Sequence, residues 1–264
     1  CEVAGTVTDY WEYDVLGFRP IRMHALEAVE HSITRRLPDH LRPRLGAHVD
    51  NDALPHLPTT IVSVQDVYSS ITGTKLSKSP GIDGLPGEFY ALLIEDHENE
   101  ENCIIAQWLH SVFVNAFRTG ILPEHMRQSQ IRLLYKKDTE FDKRYPRNYR
   151  PIALLNVDYK ILSKILFTKL KDLMPDIVSE DQFCIPTRYM GDLIHIISST
   201  IHRTNHRNDD GFLMFLDFEK AFDSVNHEFM ERMLVAHGLP SEFVRWIMLA
   251  FTRTQASCII NGKR

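Results

Sequence analysis

One run of residues, 212–223, constrains the fold more than any other part of the chain. It begins with five apolar residues and then places a carboxylate, Asp217, at the end of this apolar stretch. The apolar run predicts a strand. An ionised Asp beside such a strand costs several kcal/mol unless a metal ion or a polar cleft compensates it. We therefore predict that Asp217 has a chemical role.

The size and composition of the chain fit a globular protein with a real core. It has 264 residues, of which 44% are hydrophobic, so the disordered and collagen-like classes are excluded. The longest apolar stretches fall short of the roughly 20 residues that cross a bilayer, and no signal peptide is visible. We therefore expect no membrane partner.

The cysteines and the two ends of the chain carry further information. The chain begins at Cys1 and ends just after Asn261-Gly262, a pair typical of a two-residue hairpin turn, so we expect a fragment cut at both ends. The four cysteines form no C-x-x-C pair, which argues against a zinc knuckle and a disulfide framework and favours an intracellular, reducing setting. They are Cys1, Cys103, Cys184 and Cys258.

The charge of the chain is unevenly distributed. The net charge of −5 argues against a nucleic-acid protein, yet residues 126–171 include twelve Lys and Arg against four Asp and Glu. Such a surplus indicates either a surface for an anionic ligand or an ordinary solvated face, and both stay open. His202 and His206 have the i, i+4 spacing of a metal-binding helix. Because no Glu follows His202, a solvated helix face is the better interpretation.

Hydrophobic periodicity and turn residues predict mostly helices with a few short strands. A helix over 20–36 precedes a Pro-rich linker over 37–58, and Ser63 is a predicted helix N-cap. Two of the strands, joined by a basic loop, predict a hairpin that reaches over an anionic ligand. The predicted strands cover 130–135, 152–155, 212–216 and 257–260, and the later helices cover 64–71, 89–94, 104–117, 159–170, 193–207, 225–236 and 242–251.

Four motifs follow one another along the chain with helical segments between them. They are Ser79-Pro80-Gly81-Ile82-Asp83-Gly84, then Asn148-Tyr149-Arg150-Pro151-Ile152, then Asp181-Gln182 with Ile185-Pro186 and Arg188-Tyr189-Met190-Gly191, and then Leu216-Asp217-Phe218-Glu219-Lys220-Ala221-Phe222-Asp223. In this order they resemble the reverse transcriptases of LINE-type, non-LTR retrotransposons, from about Val64 to the C-terminus. The first motif favours this branch over the group II intron and telomerase relatives.

The resemblance implies an α+β right-hand polymerase fold with helix-rich fingers, an incomplete palm and no thumb. It divides the chain into an N-terminal helix and linker over 1–60, a fingers region over 61–207 and a partial palm over 208–264. It implies RNA-directed DNA polymerase activity in the intact protein, with an RNA template, a DNA primer and deoxynucleoside triphosphates as partners. The expected location is the nucleus and the cytoplasm, and the oligomeric state stays open.

The resemblance also implies a metal site. By the family pattern Asp217 is the first catalytic carboxylate and a metal ligand, and the backbone carbonyl of Phe218 is a second ligand. The family uses two Mg²⁺ ions, with Mn²⁺ as an alternative, and such ions require hard oxygen ligands on a rigid element. We interpret Asp223 as a capping residue near the start of the next helix rather than as a metal ligand.

Further residues match family positions at the incoming nucleotide. Lys136 and Arg150 match positions that touch the triphosphate, and Lys137 is a candidate to share the role of Lys136. A capping role is the alternative for Arg150. The backbone N–H groups of Lys220 and Ala221 are implied phosphate ligands.

Phe222 matches the aromatic residue that lies beneath the sugar and clashes with a 2′ hydroxyl. It would select deoxynucleotides over ribonucleotides, and the alternative for it is an ordinary core aromatic. Other basic residues are expected to contact nucleic acid. These are Arg127, Lys143, Arg144, Arg147 and Arg188.

The chain departs from the family pattern in two places. Thr187 stands where the family usually has Gly, which strains the backbone if a positive φ is required there. The later palm motif, an aromatic residue, a variable residue and two aspartates, does not occur in the 264 residues. One carboxylate does not complete a two-metal site, so we expect the chain alone to be catalytically inactive. The alternative is a decayed or repurposed non-catalytic fragment that binds nucleic acid.

Overall fold

The structure, a computed structural model, describes residues 61–94, 103–136, 143, 145–178, 182–186, 188–218 and 220–259. Several sequence predictions lie outside these residues. They are the helix over 20–36, the linker over 37–58, the roles of Lys137, Arg144 and Thr187, and the turn at Asn261-Gly262.

The described residues form helices and a small three-stranded sheet. Most predicted helices are confirmed, with ends that differ by a few residues. In chain order the elements are α1 (Val64–Thr72), α2 (Gly87–Leu92), α3 (Ile104–Thr119), α4 (Glu124–Arg127), β1 (Gln128–Tyr135), a 3₁₀ turn (Pro146–Asn148), β2 (Tyr149–Leu155), α5 (Val157–Ile177), α6 (Met190–Arg207), α7 (His227–Ala236), α8 (Ser241–Phe251) and β3 (Gln255–Ile259).

The predicted N-cap at Ser63 is confirmed. The Ser63 hydroxyl accepts a hydrogen bond from the Asp66 N–H at 3.1 Å, and the Asp66 carboxylate accepts one from the Ser63 N–H at 2.8 Å. This reciprocal pair satisfies two N–H groups at the helix start that have no partner within the helix. A short local pattern therefore fixes where α1 begins.

The sheet has the order β2-β1-β3. β1 and β2 pair antiparallel from Ser129↔Leu155 to Tyr135↔Tyr149, which confirms the predicted hairpin strands. β3 pairs parallel with the other edge of β1, from Gln128↔Gln255 to Arg132↔Ile259. The strand near the C-terminus thus has its partner far back in the sequence.

Helices α1, α3, α5 and α8 bury their apolar faces in one hydrophobic core. Phe113 of α3 and Phe243 of α8 are both 0% exposed. The rings of Phe117 and Trp246 stack with centroids 4.4 Å apart and an interplanar angle of 13°. The core therefore joins helices from the predicted fingers region to a helix from the predicted partial palm. The boundary between these regions stays a prediction.

The predicted strand over 212–216 is wrong in this structure. Residues 211–218 adopt neither helix nor strand, and their side chains are exposed. A strand needs a neighbour for its backbone N–H and C=O groups, and the three described strands pair only with one another. The apolar pattern identified a segment suited to a sheet but not the neighbour that it requires.

The predicted capping role of Asp223 is also wrong. The helix that was expected over 225–236 begins at His227, and Asn226 is its N-cap, because the Asn226 side chain accepts a hydrogen bond from the Phe229 N–H at 2.9 Å. Asp223 lies in the preceding turn and is exposed.

The loop with the sequence Ser-Pro-Gly-Ile-Asp-Gly connects α1 to α2 and packs on the start of α5. Gly81 approaches Asn156 so closely that an added Cβ would lie 2.5 Å from the Asn156 backbone nitrogen. We expect Gly81→Ala to lower the free energy of unfolding by about 1–3 kcal/mol, the usual cost of overpacking. Urea denaturation measures this change.

Gly211→Ala is the matched control, since its added Cβ would make only an ordinary contact of 3.5 Å with Thr204. It is expected to change the unfolding free energy by less than about 0.5 kcal/mol. An equal loss in both variants would contradict the close packing at Gly81.

Candidate nucleotide-binding site

The hairpin of β1 and β2 brings two predicted nucleotide ligands to one face. Arg150 lies opposite Leu134, and opposite residues of an antiparallel pair share a face. Side chains alternate along a strand, so Lys136 lies on the same face as Leu134. The Lys136 N–H donates to the Asn148 carbonyl at 2.8 Å, which continues the strand pairing by one residue. Lys136 and Arg150 are both exposed there.

The tip of this hairpin combines cations with tyrosines. The Arg147 guanidinium carbon lies 5.1 Å from the centroid of the Tyr145 ring, and Lys143 Nζ lies 5.9 Å from that of Tyr135. The Tyr135 and Tyr149 rings are 5.3 Å apart. Tyr145 is 48% exposed. Sequence reasoning selected the cations and missed the tyrosines, whose signal is their interleaving with Lys and Arg.

A buried polar cluster holds the base of the hairpin. Asn156, 0% exposed, directly follows β2, and its side-chain amide donates to the His125 carbonyl at 2.8 Å. The His125 ring nitrogen Nε2 lies 2.8 Å from the Asp158 carboxylate. Burial raises the pKa of Asp158, although the Tyr159 N–H and His125 act in the opposite direction. Sequence reasoning missed this cluster, whose signal in the sequence was Asn156 and Asp158 within three residues of the end of a strand.

The segment that carries Asp217 is exposed, in contrast to the buried polar cluster. Asp217 is exposed and lies next to Leu216, which is 82% exposed. Lys220 has a φ of 52°, and its carbonyl accepts a hydrogen bond from the Ser224 N–H at 3.0 Å, which closes a turn. Phe222 is 95% exposed, so its alternative interpretation as a core aromatic is wrong. The structure thus leaves Asp217 and Phe222 accessible and does not enclose them with the hairpin cations.

The described residues show neither a metal-holding cluster nor a membrane-spanning helix. Within the described ranges, no group of three or more His, Cys, Asp or Glu side chains is placed to hold a metal ion. Of the helices that the structure describes, none is both long and apolar enough to cross a membrane.

Comparisons with known proteins identify the family. Residues 135–263 match the family model described as reverse transcriptase (RNA-dependent DNA polymerase). The chain is 29% identical over 202 residues to the Transposon TX1 uncharacterized 149 kDa protein of Xenopus laevis. It is 26% identical over 192 residues to the retrovirus-related Pol polyprotein from type-2 retrotransposable element R2DM of Drosophila melanogaster. The chain carries a segment of a LINE-type reverse transcriptase domain.

This reverse transcriptase segment is short relative to its relatives. The match covers 76% of this chain and 14% of the Xenopus protein, and 70% of this chain and 17% of the R2DM protein. The probable RNA-directed DNA polymerase from transposon BS of Drosophila melanogaster is 23% identical over 65% of this chain and 18% of its own length. The chain therefore spans less than a fifth of the length of these curated relatives.

Two predicted nucleic-acid ligands of the reverse transcriptase segment contact its own backbone. The Arg127 guanidinium donates to the carbonyls of Leu122 at 2.9 Å and Arg253 at 3.1 Å. The Arg188 guanidinium donates to the Gln182 carbonyl at 2.7 Å. Both arginines thus tie loops together, and their contact with nucleic acid stays a prediction.

The lysines of α5 are also used within the fold. Lys164 Nζ donates to the Gly73 carbonyl at 2.6 Å at the end of α1, and burial lowers the pKa of Lys164. Lys169 forms an ion pair of 3.0 Å with Asp66. The basic surplus of residues 126–171 is therefore partly internal, and its accessible part is concentrated at the hairpin.

Proposed function

We propose that this segment belongs to an RNA-directed DNA polymerase that extends a DNA primer on an RNA template, and that it forms the fingers and the first part of the palm of a right-hand fold. The observation that carries the proposal is the pairing of Lys136 and Arg150 on one exposed face of a hairpin within a reverse transcriptase segment. A location in the nucleus and the cytoplasm is part of the proposal.

The hairpin face suits the triphosphate of a deoxynucleotide. Lys136 supplies a point charge, and Arg150 supplies a planar fork that binds two phosphate oxygens at once. The exposed ring of Tyr145 and the cation of Arg147 lie at the hairpin tip, where an aromatic face can stack on a base. The same hairpin therefore offers contacts to phosphate and to base.

The oxygen atoms near Asp217 are of the type that Mg²⁺ prefers as ligands. The Asp217 carboxylate and the Phe218 carbonyl are hard oxygen ligands, and the segment is exposed. When bound, two such ions activate the primer hydroxyl and neutralise the triphosphate. A single carboxylate supplies only part of that coordination, which is why we propose inactivity for the 264 residues alone.

The turn after Asp217 completes the proposed nucleotide contacts. The N–H groups of Lys220 and Ala221 are proposed phosphate donors, and the positive φ of Lys220 changes the chain direction there. The exposed ring of Phe222 is proposed to lie beneath the sugar and to exclude a 2′ hydroxyl. The competing function, a non-catalytic nucleic-acid-binding fragment, requires only the basic hairpin tip.

The experiment uses an exchange polymerase, defined as an active LINE-type reverse transcriptase in which residues 61–259 of this chain replace the matching segment. Arg150→Ala in this protein is expected to raise the KM for deoxynucleotide about 10- to 100-fold, because the charged hydrogen bonds of one Arg contribute about 1.5–3 kcal/mol. Steady-state primer extension measures the KM.

Arg132→Ala is the control for this experiment, since Arg132 is exposed on the same hairpin face but lies farther from the hairpin tip. It is expected to leave the KM nearly unchanged. A folded exchange polymerase that extends no primer would favour the non-catalytic function, and equal KM values for both variants would contradict the role of Arg150.

A further inference from the structure

Helix α6 carries a polar stripe that the proposed polymerase site does not use. The helix has no buried residue, and one of its faces lines an open depression of about 550 Å³. The lining residues fall in two i, i+4 rows, so they form two adjacent lines along the helix. We call them the α6 stripe: Ser198, Ser199, His202, Arg203, His206 and Arg207.

The chemistry of the α6 stripe suits an anion. Its hydroxyls, imidazoles and guanidiniums all provide hydrogen-bond donors, and none of its residues is a carboxylate. The side chains of Arg203 and Arg207 form no hydrogen bond or ion pair with another residue that the structure describes. The acidic residue of the first helical turn, Asp192, lies outside the stripe. The two guanidiniums are therefore available to a ligand.

Compensation of the helix dipole explains only part of this pattern. Cations in the last turn stabilise the negative end of a helix, and His206 and Arg207 lie in that turn. Arg203 precedes the last turn, and Ser198 and Ser199 lie a full turn earlier still. The stripe is therefore longer than the helix end requires.

The length of the stripe favours a polymer over a single phosphate. Residues 198–207 span about 14 Å at about 1.5 Å per residue. One strand of a duplex carries a phosphate about every 3.4 Å along the axis, and even an extended single strand with wider spacing places more than one phosphate along the stripe. Ser and Arg side chains are common donors to phosphate oxygens in nucleic-acid complexes.

We propose that the α6 stripe binds the phosphate backbone of a nucleic-acid strand, as a contact surface separate from the nucleotide-binding hairpin. The occupant follows from the reverse transcriptase identity of the segment. The proposal requires neither Asp217 nor a complete palm, so it can be tested on the 264-residue chain by binding alone.

The test is the salt dependence of binding to fluorescent oligouridylate. The double variant R203Q/R207Q is expected to weaken binding roughly tenfold at low salt. It should also reduce the slope of log K against log salt by about 1.4, because each phosphate contact on a single strand contributes about 0.7. Oligothymidylate DNA should give the same losses, because the contact is to phosphates.

The double variant K75Q/K171Q is the matched control, since it removes the same charge from exposed positions elsewhere. It is expected to change the slope little. Equal losses in both double variants, an unchanged slope for R203Q/R207Q, or a loss confined to one kind of strand would overturn the proposal.

A second variant, S198E/S199E, places negative charge within the stripe. It keeps the proposal testable if R203Q/R207Q fails to fold. It is expected to weaken binding at least as much, with an unchanged circular dichroism spectrum. Wild-type binding by a folded S198E/S199E protein would overturn the proposal. Replacement of Asp217 tests the proposed polymerase activity and should not change any of these binding measurements. Either proposal can therefore fail while the other stands.

Discussion

Phe243→Ala is expected to lower the free energy of unfolding by about 3–5 kcal/mol, the usual cost of removing a buried aromatic side chain. Phe243 is 0% exposed, and its helix α8 packs in the same core as α1, α3 and α5. The truncation removes apolar contacts and leaves a cavity that the neighbouring helices fill only in part. Stability of the fingers helices should therefore depend on a residue of the predicted partial palm.

Urea denaturation of the 264-residue chain, followed by circular dichroism, measures this loss. Phe222→Ala is the control because the same side chain is removed from a position that is 95% exposed. Its effect should stay within about 0.5 kcal/mol. Similar effects of the two substitutions would contradict the placement of α8 in the common core.

The parts of the fold that were predicted correctly are encoded locally. Ser63 and Asp66 lie three residues apart and together define the start of α1. The periodic apolar residues of α3 and α5 predict the faces that enter the core. The alternation in β1, followed by a basic loop and an apolar run, was enough to predict the hairpin with β2.

The parts that were missed depend on contacts between distant residues. The pairing of β3 with β1 joins Cys258 to Ile131, and nothing near either residue indicates the other. The predicted strand over 212–216 failed for the related reason that a strand forms only beside a neighbour. Asp223 was selected as a cap by position, whereas the Asn226 side chain accepts the hydrogen bond from the Phe229 N–H at the start of α7.

In the candidate site, too, some residues were predicted from the sequence and others were missed. Lys136 and Arg150 were identified by family resemblance, and the strand register places them on one face. The cluster of His125, Asn156 and Asp158 was not predicted, because it joins three segments and its residues are individually ordinary. Arg188 was assigned to nucleic acid by its charge, yet its guanidinium holds a nearby loop through backbone carbonyls.

Asp217→Asn is expected to reduce the primer-extension rate of the exchange polymerase by about 10³-fold or more. The substitution keeps the size of the side chain and removes the negative charge that we propose holds a metal ion. Metal stabilisation of the transition state contributes several kcal/mol, and each 1.36 kcal/mol corresponds to a factor of about ten in rate. Binding of template and primer should be largely retained, because the charge lies at the reacting groups.

Asp223→Asn is the control for Asp217→Asn, since it changes another exposed aspartate of the same motif by the same chemistry. It is expected to keep most of the rate. The 264-residue chain alone should extend no primer in Mg²⁺ or Mn²⁺. Metal-dependent extension by that chain, abolished by Asp217→Ala, would contradict our expectation of inactivity.

The most direct test of the central claim, that residues 216–223 form the first palm motif of a reverse transcriptase, is a single-turnover primer-extension rate. The rate is measured at saturating deoxynucleotide and Mg²⁺ for three proteins: the parent exchange polymerase, its Asp217→Asn variant and its Asp223→Asn variant. We predict a rate that collapses only when Asp217 is replaced. Equal rates for the parent and the Asp217→Asn protein would contradict the claim.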